Sequence, residues 1–322
     1  MNSPLAIEMD GVAKRFGDTV ALDGVSLAVP RGAVFGLLGP NGAGKTTSVK
    51  VLTTLIRPDA GSAHIDGIDV VADPNAVRSR IGLTGQYAAV DERLTARENL
   101  VYVGRLFRLG TSESRARAAS LLDRFDLVEA ADRVVKGFSG GMRRRLDIAM
   151  SLIAQPSVLF LDEPTAGLDP RSRLAMWDVI ADLAADGTTV LLTTQYLEEA
   201  DRLAKRIVVI DHGHVIAEGS PDELKSRTGG ALLNVAIAKV ENRDRALAVL
   251  EPLCSGRVDV GDDSRSFSAP IIAGDRVVPG VIRALDDAGI DVLDVVVRRP
   301  SLDDVFLALT GHAATVEEEV AS

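Results

Sequence analysis

The chain is short of several things. Its 322 residues hold one cysteine, one tryptophan and three tyrosines, and aromatic side chains make up only 4%. The lone Cys254 excludes an internal disulfide and a cysteine-built metal cluster, and reads as a thiol in or near a core. No apolar run approaches the ~18 residues that a membrane-crossing helix needs. The start, Met1-Asn2-Ser3-Pro4, lacks a basic segment ahead of an apolar stretch, so it does not read as a secretion signal. Positive charge is also wanting: the net charge is −10, which argues against nucleic acid or an anionic lipid surface as a broad electrostatic partner. Lysine supplies only seven of the 36 basic residues, a bias that, with abundant alanine and valine, reads as genome composition rather than chemistry. What remains is ordinary for a packed cytoplasmic protein, with 46% hydrophobic and 25% charged residues. The length allows one large domain and a small one.

The first third reads as short strands. Ile7–Val12, Thr19–Val29 and Ser62–Val71 carry β-branched and apolar residues between turn signals, with a hairpin turn at Asp66-Gly67. Ala33–Leu38 is a short apolar run ending in glycine, as a buried strand would be, and Lys45–Thr54 follows as a helix. From about residue 86 to 155 the spacing turns helical, over Glu98–Leu109, Glu113–Phe125 and Met142–Ala154. Apolar strands return at Val158–Leu161, Thr189–Thr194 and Arg206–Asp211, with a helix at Arg171–Ala185 between the first two, an alternation that implies a parallel sheet. Gly229-Gly230 marks a domain junction. Beyond it the order strand, helix, strand, strand, helix, strand suits a small split-βαβ domain over 229–311, with Ser301 capping a last helix and a frayed acidic tail at 312–322.

The segment Gly39-Pro40-Asn41-Gly42-Ala43-Gly44-Lys45-Thr46-Thr47 lies between a strand and a helix. Its glycines let the backbone turn tightly, so that N–H groups converge on one spot beside the positive end of the helix. Lys45 would reach the β- and γ-phosphates of a nucleotide, and the Thr46 hydroxyl would ligate Mg²⁺. This is the design of an ATP-binding loop. A second segment, Val158-Leu159-Phe160-Leu161-Asp162-Glu163, delivers two acids at the C-terminal end of an apolar strand, where open α/β sheets bind ligands. Asp162 would hold Mg²⁺ and Glu163 would activate the attacking water, although taken alone an acidic strand end can also simply meet solvent.

Phe138-Ser139-Gly140-Gly141-Met142 resembles the signature loop of ATP-binding-cassette (ABC) proteins, with Phe and Met in place of the commoner Leu and Gln. The other motifs occur in that family's order. Gln86 sits where its Q-loop glutamine lies, Ala166-Gly167-Leu168-Asp169 matches the D-loop, and Phe16 stands where an aromatic ring stacks on adenine. The resemblance covers roughly residues 5–225. It implies an α/β P-loop NTPase cassette with a RecA-like core, an antiparallel β subdomain and a helical insert, extended here by the small C-terminal α+β domain, so that domains run over 1–228 and 229–311. It implies that ATP and Mg²⁺ are cofactors, that Gln86 senses the γ-phosphate and joins Thr46 and Asp162 at the metal, and that Lys45, Glu163 and the residue at Gln195 are catalytic. It also implies that Ser139, Gly140 and Gly141 grip the γ-phosphate held by a second chain, so the working unit is a head-to-tail homodimer.

One departure stands out. The family usually has a histidine where Thr193-Thr194-Gln195-Tyr196 places Gln195. Glutamine hydrogen-bonds but carries neither charge nor a proton, so Gln195 either positions the phosphate and water or merely fills space. The arginine run Arg143-Arg144-Arg145 reads as a solvated helix face, and Tyr87 and Tyr102 suit core packing as well as a docking surface. The segment 85–92, Gln195, and the stretch Leu302–Gly311 together resemble the daunorubicin/doxorubicin-resistance type of ABC ATPase. That resemblance implies a separate multi-span membrane permease, efflux of drugs or secondary metabolites, and a peripheral position on the cytoplasmic face of the bacterial membrane. The alternative is a regulatory ABC protein that uses ATP only as a dimerisation switch.

Overall fold

The computed structural model describes residues 5–85, 89–227, 231–261, 263–271, 277–298 and 301–310. Its contacts divide the chain into two units, the first running through Pro221 and the second beginning at Asp222. The expected junction at Gly229-Gly230 and the tail lie outside the described residues.

In the first unit, alternating apolar and polar residues build β1 (Leu5–Phe16) and β2 (Thr19–Pro30), which pair antiparallel. Strand β3 (Val34–Leu38), buried along its whole length, leads into α1 (Lys45–Leu52). Strands β4 (Ala60–Ile65) and β5 (Ile68–Asp69) then complete an antiparallel sheet of order β2-β1-β4-β5. The hairpin turn expected at Asp66-Gly67 joins β4 to β5, within the stretch read as strand over Ser62–Val71. Both turn residues are left-handed, Asp66 at φ 52 and Gly67 at φ 79, as a two-residue turn matching the strand twist requires.

A short helix α2 (Pro74–Arg78) precedes β6 (Ile81–Thr84). The helical insert follows as α3 (Ala96–Leu106), α4 (Thr111–Arg124) and α5 (Gly140–Ser151). Helix α3 begins earlier than its apolar periodicity suggested, because Thr95 and Glu98 form a reciprocal cap. The chain then returns to the sheet through β7 (Val158–Asp162), α6 (Pro170–Ala185), β8 (Thr189–Thr194), α7 (Leu197–Leu203), β9 (Arg206–Asp211) and β10 (His214–Gly219). The six strands lie in the order β10-β9-β3-β8-β7-β6, all parallel except the β9–β10 hairpin.

Alternation along these buried strands splits the core in two. Phe160 and Leu191 face the antiparallel sheet and α1, in a cluster with Ile7, Leu22, Phe35 and Val51. Leu159, Leu161, Val190 and Leu192 face the helices, against Leu100, Leu146, Ile153 and Ile180. One consequence matters for the site. Register pairs Leu38 with Thr194, Asp162 with Thr193, and Thr84 with Leu161, so the segments after β3, β6, β7 and β8 all leave the sheet at one edge.

Helix α8 (Pro221–Arg227) starts on the last residue of the first unit, and the second unit continues with β11 (Ala231–Ile237), α9 (Arg243–Leu250), β12 (Asp259–Val260), β13 (Ser266–Ile271), α10 (Val277–Asp287), β14 (Val292–Arg298) and α11 (Leu302–Thr310). The sheet order β12-β13-β11-β14 is antiparallel throughout, the split-βαβ arrangement that the element order implied. Leu233, Val235, Phe267, Val281 and Leu285 form its core, and Cys254 packs partly buried against it. Ser301 caps α11 reciprocally with Asp304, as expected.

Candidate ATP site

The loop Gly39–Thr47 leaves β3 at the shared sheet edge and closes on the start of α1. Its shape depends on particular glycines. A Cβ on Gly39 would lie 2.2 Å from the Ile210 carbonyl oxygen, and one on Gly44 would lie 2.6 Å from that of Ala21, with Gly44 itself at φ 111. The loop is braced from outside, since the Gly213 N–H donates to Ala43 O and the Asp23 N–H to Gly213 O. Pro40, Asn41 and Gly42 form the more accessible rim, while Ala43, Gly44 and Lys45 are buried.

Lys45 places its ammonium inside the loop, donating to Gly39 O at 2.6 Å and Pro40 O at 3.0 Å. Burial pulls its pKa below the ordinary lysine value, opposed by the nearby Glu163 and Asp162 carboxylates. Asp162 ends β7, only 5% exposed, and meets the Thr46 hydroxyl at 3.4 Å across the edge. A hydroxyl and a carboxylate, both hard oxygen donors, converge there. Among the described residues no group of three His, Cys, Asp or Glu side chains could form an all-protein cage. That donor set fits Mg²⁺, which binds by one or two protein oxygens together with phosphate and water.

Glu163 follows in the left-handed region, at φ 49, which non-glycine residues avoid. Burial raises its carboxyl above the usual glutamate value, with Lys45 opposing and Asp162 reinforcing. Such a carboxylate can accept a proton more readily than an exposed one. Gln195, partly buried, leaves β8 beside the loop. Phe16 ends β1 half exposed, with the Lys14 ammonium 5.6 Å from its ring centre, and presents a face on which a base can stack. Gln86 and Tyr87 lie outside the described residues.

The remaining expected residues sit on other elements. Ser139 caps α5, accepting from Met142 N at 3.2 Å, and stands exposed with Gly140. Gly141 is buried so closely that a Cβ would come within 2.9 Å of Ser172 Oγ. Asp169 caps α6 through Ser172 N at 2.9 Å and Ser172 Oγ at 2.6 Å, and these hydrogen bonds hold its carboxyl below the usual range.

The arginine run is not a solvated face. Arg144 is 7% exposed and drives its guanidinium under the acidic strand end. Arg143 and Arg145 are half-buried and tied to the Lys136 and Phe125 carbonyls. The sequence did hold a signal: Asp147 sits in an apolar stretch, Leu146-Asp147-Ile148-Ala149-Met150, where a buried acid requires a partner within a turn. Thr193 was also missed. Its hydroxyl donates to Asp162 Oδ1 and lies 3.2 Å from the Glu163 N–H, which donates as well to Thr193 O at 3.0 Å. Glu199, fully buried, accepts from Thr165 Oγ1 at 2.9 Å and Trp177 Nε1 at 3.0 Å, linking the segments on either side of Asp169 to α7.

A glycine loop, a lysine, two acids and a polar residue at one edge of a parallel sheet, with a helical insert carrying Ser-Gly-Gly, define an ATP-binding cassette. Comparison with known proteins agrees. The ABC transporter family model matches residues 22–166. The daunorubicin resistance ATP-binding protein DrrA3 of Streptomyces coeruleorubidus is 56% identical over 97% of this chain and 98% of its own. The doxorubicin resistance ATP-binding protein DrrA of Mycobacterium tuberculosis is 51% identical over 96% and 95%. Among solved structures, a dimeric ATP-binding cassette in a post-hydrolysis state with ADP and Pi is 28% identical, with a TM-score of 0.60 over 66% of this chain and 98% of that one. The chain belongs to the ATP-binding subunits of ABC transporters, in the daunorubicin/doxorubicin-resistance group, and is an ATPase. Among the described residues no helix is long and apolar enough to cross a membrane.

Proposed function

We propose that this subunit powers efflux of drug-like or secondary-metabolite molecules through a separate multi-span permease, as a head-to-tail homodimer at the cytoplasmic face of the membrane. One observation carries the dimer. The chain holds the loop, Lys45, Asp162 and Glu163 at one sheet edge, yet its Ser139–Gly140 cap is exposed on another element. Free N–H groups at the start of α5, with the positive end of its dipole, suit an anion brought by a second copy. The names of relatives more than half identical over nearly the whole chain support the class of cargo.

In this reading the N–H groups of Gly39–Thr47 wrap the phosphates and Lys45 neutralises the β- and γ-oxygens. Phe16 stacks on the base, and Thr46, Asp162 and Gln86 would hold Mg²⁺. Bound there, the ion would neutralise charge on the transferring phosphoryl group. Glu163 takes a proton from the attacking water, Gln195 orients water and phosphate, and Ser139 with its glycines donates to the γ-phosphate across the dimer. Closure is passed to the permease through the helical insert, and hydrolysis resets it. Asp169 lies in the segment that would meet the second copy, and the C-terminal domain over 229–311 would stabilise the dimer or hold the permease.

The test is Glu163→Gln. The variant should bind ATP, hydrolyse it at least ~100-fold more slowly, and accumulate as a dimer on sizing in ATP. Undiminished hydrolysis would refute the base. A tagged chain drawn from its native membranes should bring down a multi-span permease; recovery without one sinks the transport reading and favours a switch.

A further inference from the structure

Arg144 lies on the second turn of α5, and every N–H of its guanidinium is engaged. Nε donates to Pro164 O at 2.9 Å, Nη2 to Asp162 O at 2.9 Å and Glu163 O at 3.1 Å, and Nη1 to Gly85 O at 2.5 Å and Asp147 Oδ2 at 3.4 Å. Those are five donors and five acceptors, the full capacity of the group. Asp147 in turn accepts from Ala89 N at 2.8 Å. The pair therefore grips the chain on both sides of residues 86–88 and three consecutive carbonyls of the acidic strand end.

The middle carbonyl of those three belongs to Glu163, whose backbone is in the left-handed region. A non-glycine residue stays there only where its surroundings over-determine it. Here its N–H is held from β8 by Thr193, and its carbonyl from α5 by Arg144. We infer that Arg144 is a positioning residue for hydrolysis: it fixes the backbone of Glu163 from the same helix whose first turn presents Ser139. The base of one site is thereby tied to the signature cap that serves the other, so a displacement of α5 on gripping phosphate is transmitted to the water-activating carboxylate. This rests on the reading of Glu163 as base and of the dimer as head-to-tail. Lysine, a point charge with three donors, cannot reproduce the fork.

The experiment uses the purified full chain with Arg144→Gln and Arg144→Lys, each alone and combined with Glu163→Gln. Circular dichroism reports folding, equilibrium titration with a fluorescent ATP analogue reports affinity, and single-turnover hydrolysis reports the chemical step. Each single variant should lose about 10- to 100-fold in hydrolysis, the scale of a misplaced catalytic group, while nucleotide affinity stays within about three-fold. In the Glu163→Gln background the Arg144 change should cost no further rate, because it acts through Glu163. Full hydrolysis in a folded variant, an affinity loss that matches the rate loss, a further rate loss beyond Glu163→Gln, or unfolding of both variants would each overturn the inference. If Glu163→Gln itself hydrolyses normally, the base assignment fails first; if it is inhibited while the Arg144 variants are not, only this inference fails.

Discussion

Thr193→Val tests whether the hydroxyl behind the acidic pair holds it in place. Valine keeps the β-branch and nearly the volume, so β8 and its packing remain. What disappears is one donor to the buried Asp162 carboxylate and one of two acceptors for the Glu163 N–H. The second loss is small, because Glu163 N still reaches Thr193 O at 3.0 Å. The first costs about 1.5–3 kcal/mol, the usual worth of a hydrogen bond to a charged group, offset by about 0.8 kcal/mol for a buried methyl. The net is roughly 1–2 kcal/mol. For a unit of this size each kcal/mol moves the melting temperature by about 2–4 °C, so calorimetry on the full chain should show the cassette transition lowered by about 2–8 °C. With Asp162 free to turn, turnover should fall about ten-fold. Thr193→Ser keeps the hydroxyl and should keep turnover, although it gives up a methyl. A Thr193→Val protein with wild-type melting and turnover, or a serine variant as slow as the valine one, would refute the reasoning.

Two further outcomes follow from the same edge of the sheet. Gln195→Ala should slow hydrolysis about ten-fold with little change in ATP affinity, as loss of a positioning hydrogen bond does; unchanged turnover in a steady-state assay would make Gln195 a filler. Glu199→Gln should flatten the dependence of stability on pH. Burial raises the folded-state pKa of Glu199 above its unfolded value, outweighing the hydrogen bonds from Thr194, Thr165 and Trp177. Its favourable share is therefore complete below the ordinary glutamate pKa and is lost as pH rises through the raised one. Denaturant midpoints taken between pH 4.5 and 8 should fall less steeply in the variant, and parallel curves would count against this account.

Much of the fold was legible because its periodicities are local. The apolar runs of β3, β7 and β8 sit in the sheet with little shift, and Asp66-Gly67 closes a hairpin through the positive φ that this pair tolerates. Elements too short for a period were not legible. Helix α2 is five residues and β6 is four, and β6 shows a strand's character only by pairing with β7. Boundaries slipped where a cap rather than an apolar position set them, as at Thr95. The solved cassette aligns with about two thirds of this chain, whereas the drug-resistance relatives align with nearly all of it. The likeness to those relatives therefore takes in the split-βαβ unit as well as the ATP motifs.

The site was legible motif by motif and not as a whole, for a physical reason. A phosphate loop or an acidic strand end is contiguous, because neighbouring backbone groups do its work, and such a pattern survives in one dimension. The residues that join motifs act across long separations. Thr193 reaches Asp162 and Glu163 from the next strand, Arg144 reaches Gly85 and Pro164 from the insert, and Glu199 reaches Thr165 and Trp177 from α7. Their side chains are ordinary in sequence and unusual only in being buried while polar. Burying such groups unsatisfied would cost several kcal/mol each, so their presence is tolerable only where each finds its partners. Here those partners are the backbone and side chains of the ATP motifs or of the segments that follow them, such as Trp177 on α6. A substitution at any of the three should therefore change how the motifs move together before it changes whether ATP binds.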